Sequence, residues 1–253
     1  MTIDYRAIYT EAFYREADGI AEWEQRKLKV GDALAAVAYA HGLTFEELRQ
    51  IVPFEGHGQL CADDGLDAGA QIARVLGAKK RTPRGILEIG GGRGEVSVSL
   101  AHHGYPVQSV EPSPGAASWY GQTAERFFGV RLDALPLRLL NTTMHEALAA
   151  GEIDWAAVDT VLMVESLEHI LAADFAPAYA AIRDNLRERG GRFIVTNWIG
   201  HHPLDVGWHA SPQVHCRLVD DALYDAWAAE AGAVFCRNGS HLALDYGVQY
   251  ENS

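Results

Sequence analysis

The stretch ILEIGGGRGEVSVSLAHHG, from Ile86 to Gly104, decides the fold of this 253-residue chain. It reads as a buried strand, a glycine-packed turn and a helix. Glu88 lies near the strand end, and Gly90, Gly92 and Gly94 follow at alternate positions. Glycine tolerates positive φ and lets a backbone approach a ligand with no Cβ in the way. The helix that follows turns its N-terminal N–H groups toward the loop, which makes a small polar site. A dinucleotide-binding fingerprint requires a glycine three residues after Gly92, and Glu95 stands there instead. The pattern is Glu-x-Gly-x-Gly-x-Gly, with an acid ahead of the glycines.

Outward from this stretch the chain alternates between strand and helix. Val107–Glu111 reads as a second strand ending in an acid. Leu137–Asn141, Thr160–Val164 and Arg192–Asn197 read as the third, fourth and fifth. Helical segments fill the gaps at Glu95–His102, Gly115–Phe127 and Phe175–Arg187. Such alternation implies an α/β fold with a parallel sheet. The end differs: a helix over Asp220–Ala231 precedes strand-like runs at Ala233–Arg237 and Leu242–Gly247, separated by the turn residues Asn238 and Gly239. Residues 1–80 read as mainly helical. A capping-box pattern joins Thr44 to Glu47, and breaks follow at Pro53, Gly56 and Gly58. This gives an N-terminal helical segment, 1–80, and a main domain, 81–253.

Composition limits the partners. The formal charge is −13, and the basic residues form only short groups, Lys27 with Lys29 and Lys79 with Lys80 and Arg81. Nucleic acid is disfavoured as a partner, because phosphate backbones are held by clustered Lys and Arg. A small neutral or cationic substrate suits the charge better. No apolar run reaches the roughly 20 residues that span a bilayer. The polar, acid-bearing start is unlike a secretory signal. Cys61, Cys216 and Cys236 are scattered and odd in number, with no C-x-x-C. That usage suits a reducing, cytoplasmic setting.

The acid-and-glycine pattern resembles motif I of the class I S-adenosylmethionine (SAM) dependent methyltransferases, and the resemblance spans about residues 80–250. It implies a Rossmann-like sheet, mostly parallel with an antiparallel last strand, and SAM as cofactor. Glu88, Gly90, Gly92 and Gly94 would then surround the methionine end, where an acid attracts the ammonium. Glu111 would accept hydrogen bonds from the ribose hydroxyls. Asn141, Thr142 and Thr143 are alternatives for the adenine amino group. Val164 and Glu165 would pass near the sulfonium.

Residues 164–170 read VESLEHI, with Glu165, Glu168 and His169 at i, i+3 and i+4. On a helical turn these share a face, and a divalent cation such as Mg²⁺ or Mn²⁺ would relieve their mutual repulsion. The Glu-x-x-Glu-His pattern with a later histidine resembles the metal site of small-RNA 3′-terminal 2′-O-methyltransferases. It also resembles the corresponding stretch of ubiquinone-biosynthesis O-methyltransferases. His215 would complete that ligand set. His201, His202 and His209 are alternatives for a general base, as is His169 where no metal binds.

The resulting expectation is O-methylation of a small hydroxylated molecule. Alternatives on the same fold are N- or C-methylation, SAM cyclisation, RNA 2′-O-methylation and non-catalytic SAM binding. For the fold itself the second choice is a nicotinamide dehydrogenase. The aromatic residues Tyr5, Tyr9, Phe13, Tyr14 and Trp23 would serve a lid, a homodimer face or an amphipathic helix packed on the domain.

Overall fold

The computed structural model describes residues 54–55, 59–60, 83–197, 219–232, 234–238 and 241–246. Within the first 80 residues, Phe54–Glu55 (β1) and Gln59–Leu60 (β2) form an antiparallel pair around the Gly56–Gly58 break. The helices expected elsewhere in that segment lie outside the described residues.

The main sheet has seven strands. Its parallel part comprises β3 (Ile86–Ile89), β4 (Val107–Val110), β5 (Leu137–Leu140), β6 (Thr160–Val164) and β7 (Arg192–Thr196). The antiparallel hairpin of β8 (Val234–Asn238) and β9 (His241–Asp245) completes it. The order is β5-β4-β3-β6-β7-β9-β8, and β9 runs antiparallel to β7. The expected mostly parallel sheet with an antiparallel last strand is therefore present.

Among the described residues, five α-helices connect the strands: α1 (Glu95–His102), α2 (Ala116–Phe128), α3 (Met144–Ala149), α4 (Ala172–Arg189) and α5 (Asp221–Ala231). Helix α3 was not anticipated. Its signal is a second capping box, with Thr143 as N-cap and Glu146 at N3.

Side chains alternate across each strand, so the sheet has two buried faces. Leu87, Ile89, Val161, Met163, Phe193 and Val195 join one apolar cluster with Met144, Phe175, Ile182 and Trp227 from α3, α4 and α5. Val98, Ala116, Tyr120 and Ala124 form a second cluster, on α1 and α2. Glu88 shares the parity of Ile86 and so faces α1, where the Ser97 hydroxyl donates to its carboxylate.

The chain leaves β3 toward β4 and β5, then returns to β6 on the other side of β3. This reversal opens a crevice at the C-terminal ends of β3 and β6, the place where doubly wound sheets bind ligands. The loop from Gly90 to Gly94 and the turn from Glu165 to His169 both begin there.

Tight packing under the glycine loop yields a prediction. A methyl group on Gly91 would collide with the Tyr120 and Ser109 hydroxyls, whereas one on Gly121, inside α2, meets nothing within 4 Å. Gly91→Ala is expected to destabilise the fold by about 1–3 kcal/mol through overpacking. Gly121→Ala is expected to stabilise it by about 0.5–1 kcal/mol through helix propensity. Urea denaturation of the two variants checks the opposite signs.

Candidate functional site

The glycine loop is held open by its own geometry. Gly90, Gly92 and Gly94 have φ of 76°, 58° and 81°. This is a left-handed region that side chains with a Cβ disfavour. At Gly90 a Cβ would also stand 2.6 Å from Cβ of Ser166. Ser166 in turn donates its hydroxyl to the Ile89 carbonyl at 2.8 Å, pinning the turn after β6 against the end of β3. Gly94 caps α1 against the Tyr120 ring, which a Cβ would approach to 2.7 Å.

Glu111 follows β4 and is 3% exposed. Its Oε2 accepts from the Gly92 N–H at 2.8 Å, and its Oε1 from the Ser113 N–H at 2.9 Å. One carboxylate thus joins the glycine loop to the loop after β4. Asn141 adds the end of β5, donating its amide to the carbonyls of Glu111 at 2.8 Å and Ser113 at 2.6 Å. The Ser113 hydroxyl is fully enclosed and lacks a hydrogen-bond partner among the described residues. An ionised carboxylate offers about four acceptor positions. Two of those on Glu111 receive the backbone N–H groups just named.

Glu88 is fully buried beneath the loop rather than lining the crevice. The Tyr120 phenol, bonded to the Ser109 hydroxyl at 2.7 Å, is pushed far up by burial and secondarily by the charges of Glu88 and Glu111. It therefore stays neutral. The hydroxyls of Thr142 and Thr143 are directed to Glu146 at 2.8 and 2.9 Å, completing the cap of α3.

The turn after β6 differs from the expected helical turn. Glu165 takes a left-handed φ of 47°, and its N–H donates to the Thr196 carbonyl at 2.8 Å. A non-glycine residue in that region is a strained position of the kind found at functional sites. The residues that follow, Leu167–His169, form a single 3₁₀ turn. The i, i+3, i+4 face on which Glu165, Glu168 and His169 were to converge is absent, because it requires α-helical geometry. The buried Glu168 carboxylate faces Asn197, whose amide is oriented to donate to it, at 3.0 Å to Oε1 with a second, closer contact to Oε2. No cluster of three or more His, Cys, Asp or Glu suited to a metal occurs among the described residues. The helical turn expected across Glu165, Glu168 and His169 is therefore corrected to a 3₁₀ turn, and His215, the fourth residue of that expected ligand set, lies outside the described residues. Val164 is 1% exposed, so only its backbone can border the crevice.

His169 is the partly open member of this turn, with its side chain 21% exposed and Nε2 3.8 Å from Glu168 Oε1. His201, His202, His209 and His215 lie outside the described residues. The sequence reading missed Gly91, Ser113, Ser166 and Asn197. Gly91 and Asn197 carried a usable signal: one is the second of four glycines in a compact run, the other a polar residue just after a buried strand beside the acidic turn.

A family model described as a methyltransferase domain matches residues 63–234. No curated protein matches the chain. Among solved structures, TehB from Haemophilus influenzae is similar at 16% identity and a TM-score of 0.44, over 68% of this chain and 58% of that one. The chain thus spans under two thirds of that protein's length. The 1,6-didemethyltoxoflavin-N1-methyltransferase of Burkholderia thailandensis is similar at 18% identity and a TM-score of 0.45, covering 74% of this chain and 80% of that one. The magnesium protoporphyrin IX methyltransferase of Synechocystis PCC 6803 is similar at 16% identity and a TM-score of 0.47, covering 95% and 96%. With the glycine loop, the acid after β4 and the antiparallel last strand already in place, the chain belongs to the methyltransferase-domain family.

Proposed function

We propose that this SAM-dependent methyltransferase methylates an oxygen of a small hydroxylated molecule, with His169 accepting the proton. The observation that carries the reading is the position of His169: a partly exposed imidazole on the turn that borders the crevice, backed by a buried carboxylate. A nitrogen nucleophile can present its own lone pair, whereas a hydroxyl gains from a base that removes its proton. No helix among the described residues is long and apolar enough to cross a membrane. The charge of −13 disfavours RNA as the acceptor.

The crevice suits the cofactor. SAM, when bound, supplies an electrophilic methyl group on a sulfonium. The Glu111 carboxylate, fixed at the end of β4 by the Gly92 and Ser113 N–H groups, is the acid suited to the ribose hydroxyls, and the orphaned Ser113 hydroxyl offers a further polar contact beside it. Asn141 spends its NH₂ on two carbonyls, which leaves Oδ1 to accept from the adenine amino group. Thr142, directed to Glu146, is the weaker alternative. Glu88 acts on the methionine ammonium through its field from beneath the loop, not by contact. Glu165 and the backbone of Val164 border the methyl group. The chain's task at the acceptor is alignment and proton removal, because in-line displacement needs little else.

Three expected outcomes follow. Glu111→Gln weakens binding of S-adenosylhomocysteine about 10- to 100-fold, the cost of losing charge-assisted hydrogen bonds worth roughly 1.5–3 kcal/mol. Isothermal titration calorimetry measures it, with near-ultraviolet circular dichroism to confirm the fold. His169→Gln lowers kcat by about 10²–10⁴ and leaves donor affinity intact. Mass spectrometry of products from matched phenol, alcohol and amine panels checks this, and methylation confined to amines would refute oxygen as the acceptor. Finally, turnover survives EDTA treatment followed by dialysis. Loss that only Mg²⁺ or Mn²⁺ restores would return Glu165, Glu168, His169 and His215 to the ligand role.

A further inference from the structure

We propose that Tyr120 is a positioning residue for the methyl donor: its hydroxyl, paired with that of Ser109, holds the glycine loop in the shape that receives the donor's amino-acid end. The inference deepens the function above and rests on one part of it, that the donor fills the crevice between Glu111 and the turn after β6.

The contacts come from two elements beneath the loop. Tyr120 lies on α2 and Ser109 on β4, both fully buried, with their hydroxyls 2.7 Å apart. A Cβ on Gly91 would strike those two oxygens before anything else, so the Gly91 backbone rests on the pair. A Cβ on Gly94 would strike the Tyr120 ring instead, 2.7 Å from its nearest carbons. One side chain therefore spans the loop, with its hydroxyl under Gly91 and its ring under Gly94. The same two glycines are joined directly, the Gly94 N–H donating to the Gly91 carbonyl at 2.8 Å. Helix α2 meets the loop again one turn on, where the Thr123 hydroxyl donates to the Arg93 carbonyl at 2.9 Å.

The hydroxyls are what need a reason. Around them Val98, Ala116 and Ala124 form an apolar cluster with Tyr120. Phenylalanine would fill that space, and a hydroxyl taken out of water is costly unless it is bonded. Two facing hydroxyls add little net stability there. What they add is geometry, because a hydrogen bond fixes distance and angle more closely than an apolar contact does. Burial, reinforced by the charges of Glu88 and Glu111, holds the phenol far above its ordinary range, so the pair stays neutral and intact.

The consequence falls on one end of the donor. Gly90, Gly92 and Gly94 all have positive φ, and a glycine loop left unheld has many other conformations to lose when a ligand orders it. The ribose end is served by Glu111, which the Ser113 N–H fixes as well as Gly92. The amino-acid end, in the placement given above, lies over the loop itself and above Glu88. Its affinity depends on the loop having the bound shape beforehand.

The test separates the two ends. Calorimetry on the full chain compares S-adenosylhomocysteine with 5′-methylthioadenosine, which lacks the amino-acid portion. Tyr120→Phe keeps the ring and removes the hydroxyl. It is expected to weaken S-adenosylhomocysteine about 5- to 10-fold, the scale of one hydrogen bond, and to leave 5′-methylthioadenosine within about twofold. Amide hydrogen exchange without ligand is expected to quicken over residues 90–94 and to stay unchanged over β7. Ser109→Ala removes the other half of the pair and gives the same pattern, and it carries the test alone where Tyr120→Phe does not fold. Equal weakening of both ligands would mean a general loss of packing and overturns the inference, as does unchanged exchange in the loop. Failure of both variants to fold overturns it too, since the pair would then serve stability alone. A wild-type chain that binds neither ligand would instead defeat the cofactor placement itself, and this role with it.

Discussion

The bond from the Gly92 N–H to the Glu111 carboxylate is the contact on which the cofactor end of the crevice depends. Glycines make the loop between β3 and α1 possible, but glycine conformations are also the least restrained in an unfolded chain. Something must hold the loop in one form. Glu111 does so by placing one oxygen on Gly92 and the other on Ser113, so that two loops from neighbouring strands share one acid. Asn141 extends the tie to a third strand through the carbonyls of the same two residues, Glu111 and Ser113. Three strand ends are thereby drawn to one point. The acid that would bind the ribose is also the acid that shapes the site.

The buried acids of this end of the sheet follow a common rule. Glu88 accepts from the Ser97 hydroxyl, Glu111 from two backbone N–H groups and Glu168 from an amide. Neutral donors solvate a carboxylate without cancelling its charge. Acids gathered at this end of the sheet suit a donor bearing an ammonium and a sulfonium. Tyr120 fits the same scheme. Two nearby acids and complete burial keep its phenol protonated, so it can serve as a spacer under the glycine loop without adding charge.

How much of this was legible in the sequence depends on the range of the interaction. The strand Ile86–Ile89, helix Glu95–His102 and strand Thr160–Val164 match the sequence reading residue for residue, because hydrophobic run, glycine turn and acid are local signals. Glu111 was legible for the same reason: it ends a strand. The turn after β6 was not. Its letters suggested a helical face, and periodicity cannot distinguish one 3₁₀ turn from one α-helical turn in so short a run. The left-handed Glu165 is set by the hydrogen bond from its N–H to the Thr196 carbonyl, across a strand pair 31 residues distant in the chain. The pairing of Asn197 with Glu168 has the same long-range origin. Ser113 and Ser166 escaped notice because serine in a loop carries no pattern of its own.

That turn also explains why a base and a metal site compete for the same letters. A cation held jointly by Glu165 and Glu168 would have to share the Glu168 oxygens with the Asn197 amide, and a carboxylate turned fully away would leave that buried amide with unmet donors. An unmet buried donor costs roughly 1–3 kcal/mol. The turn itself is a single 3₁₀ turn that follows the left-handed Glu165, in place of the α-helical turn the letters suggested. In the arrangement the chain adopts, the acid looks inward to an amide and sideways to an imidazole. The histidine beside that acid is the more open of the two, with its side chain 21% exposed against 8% for Glu168.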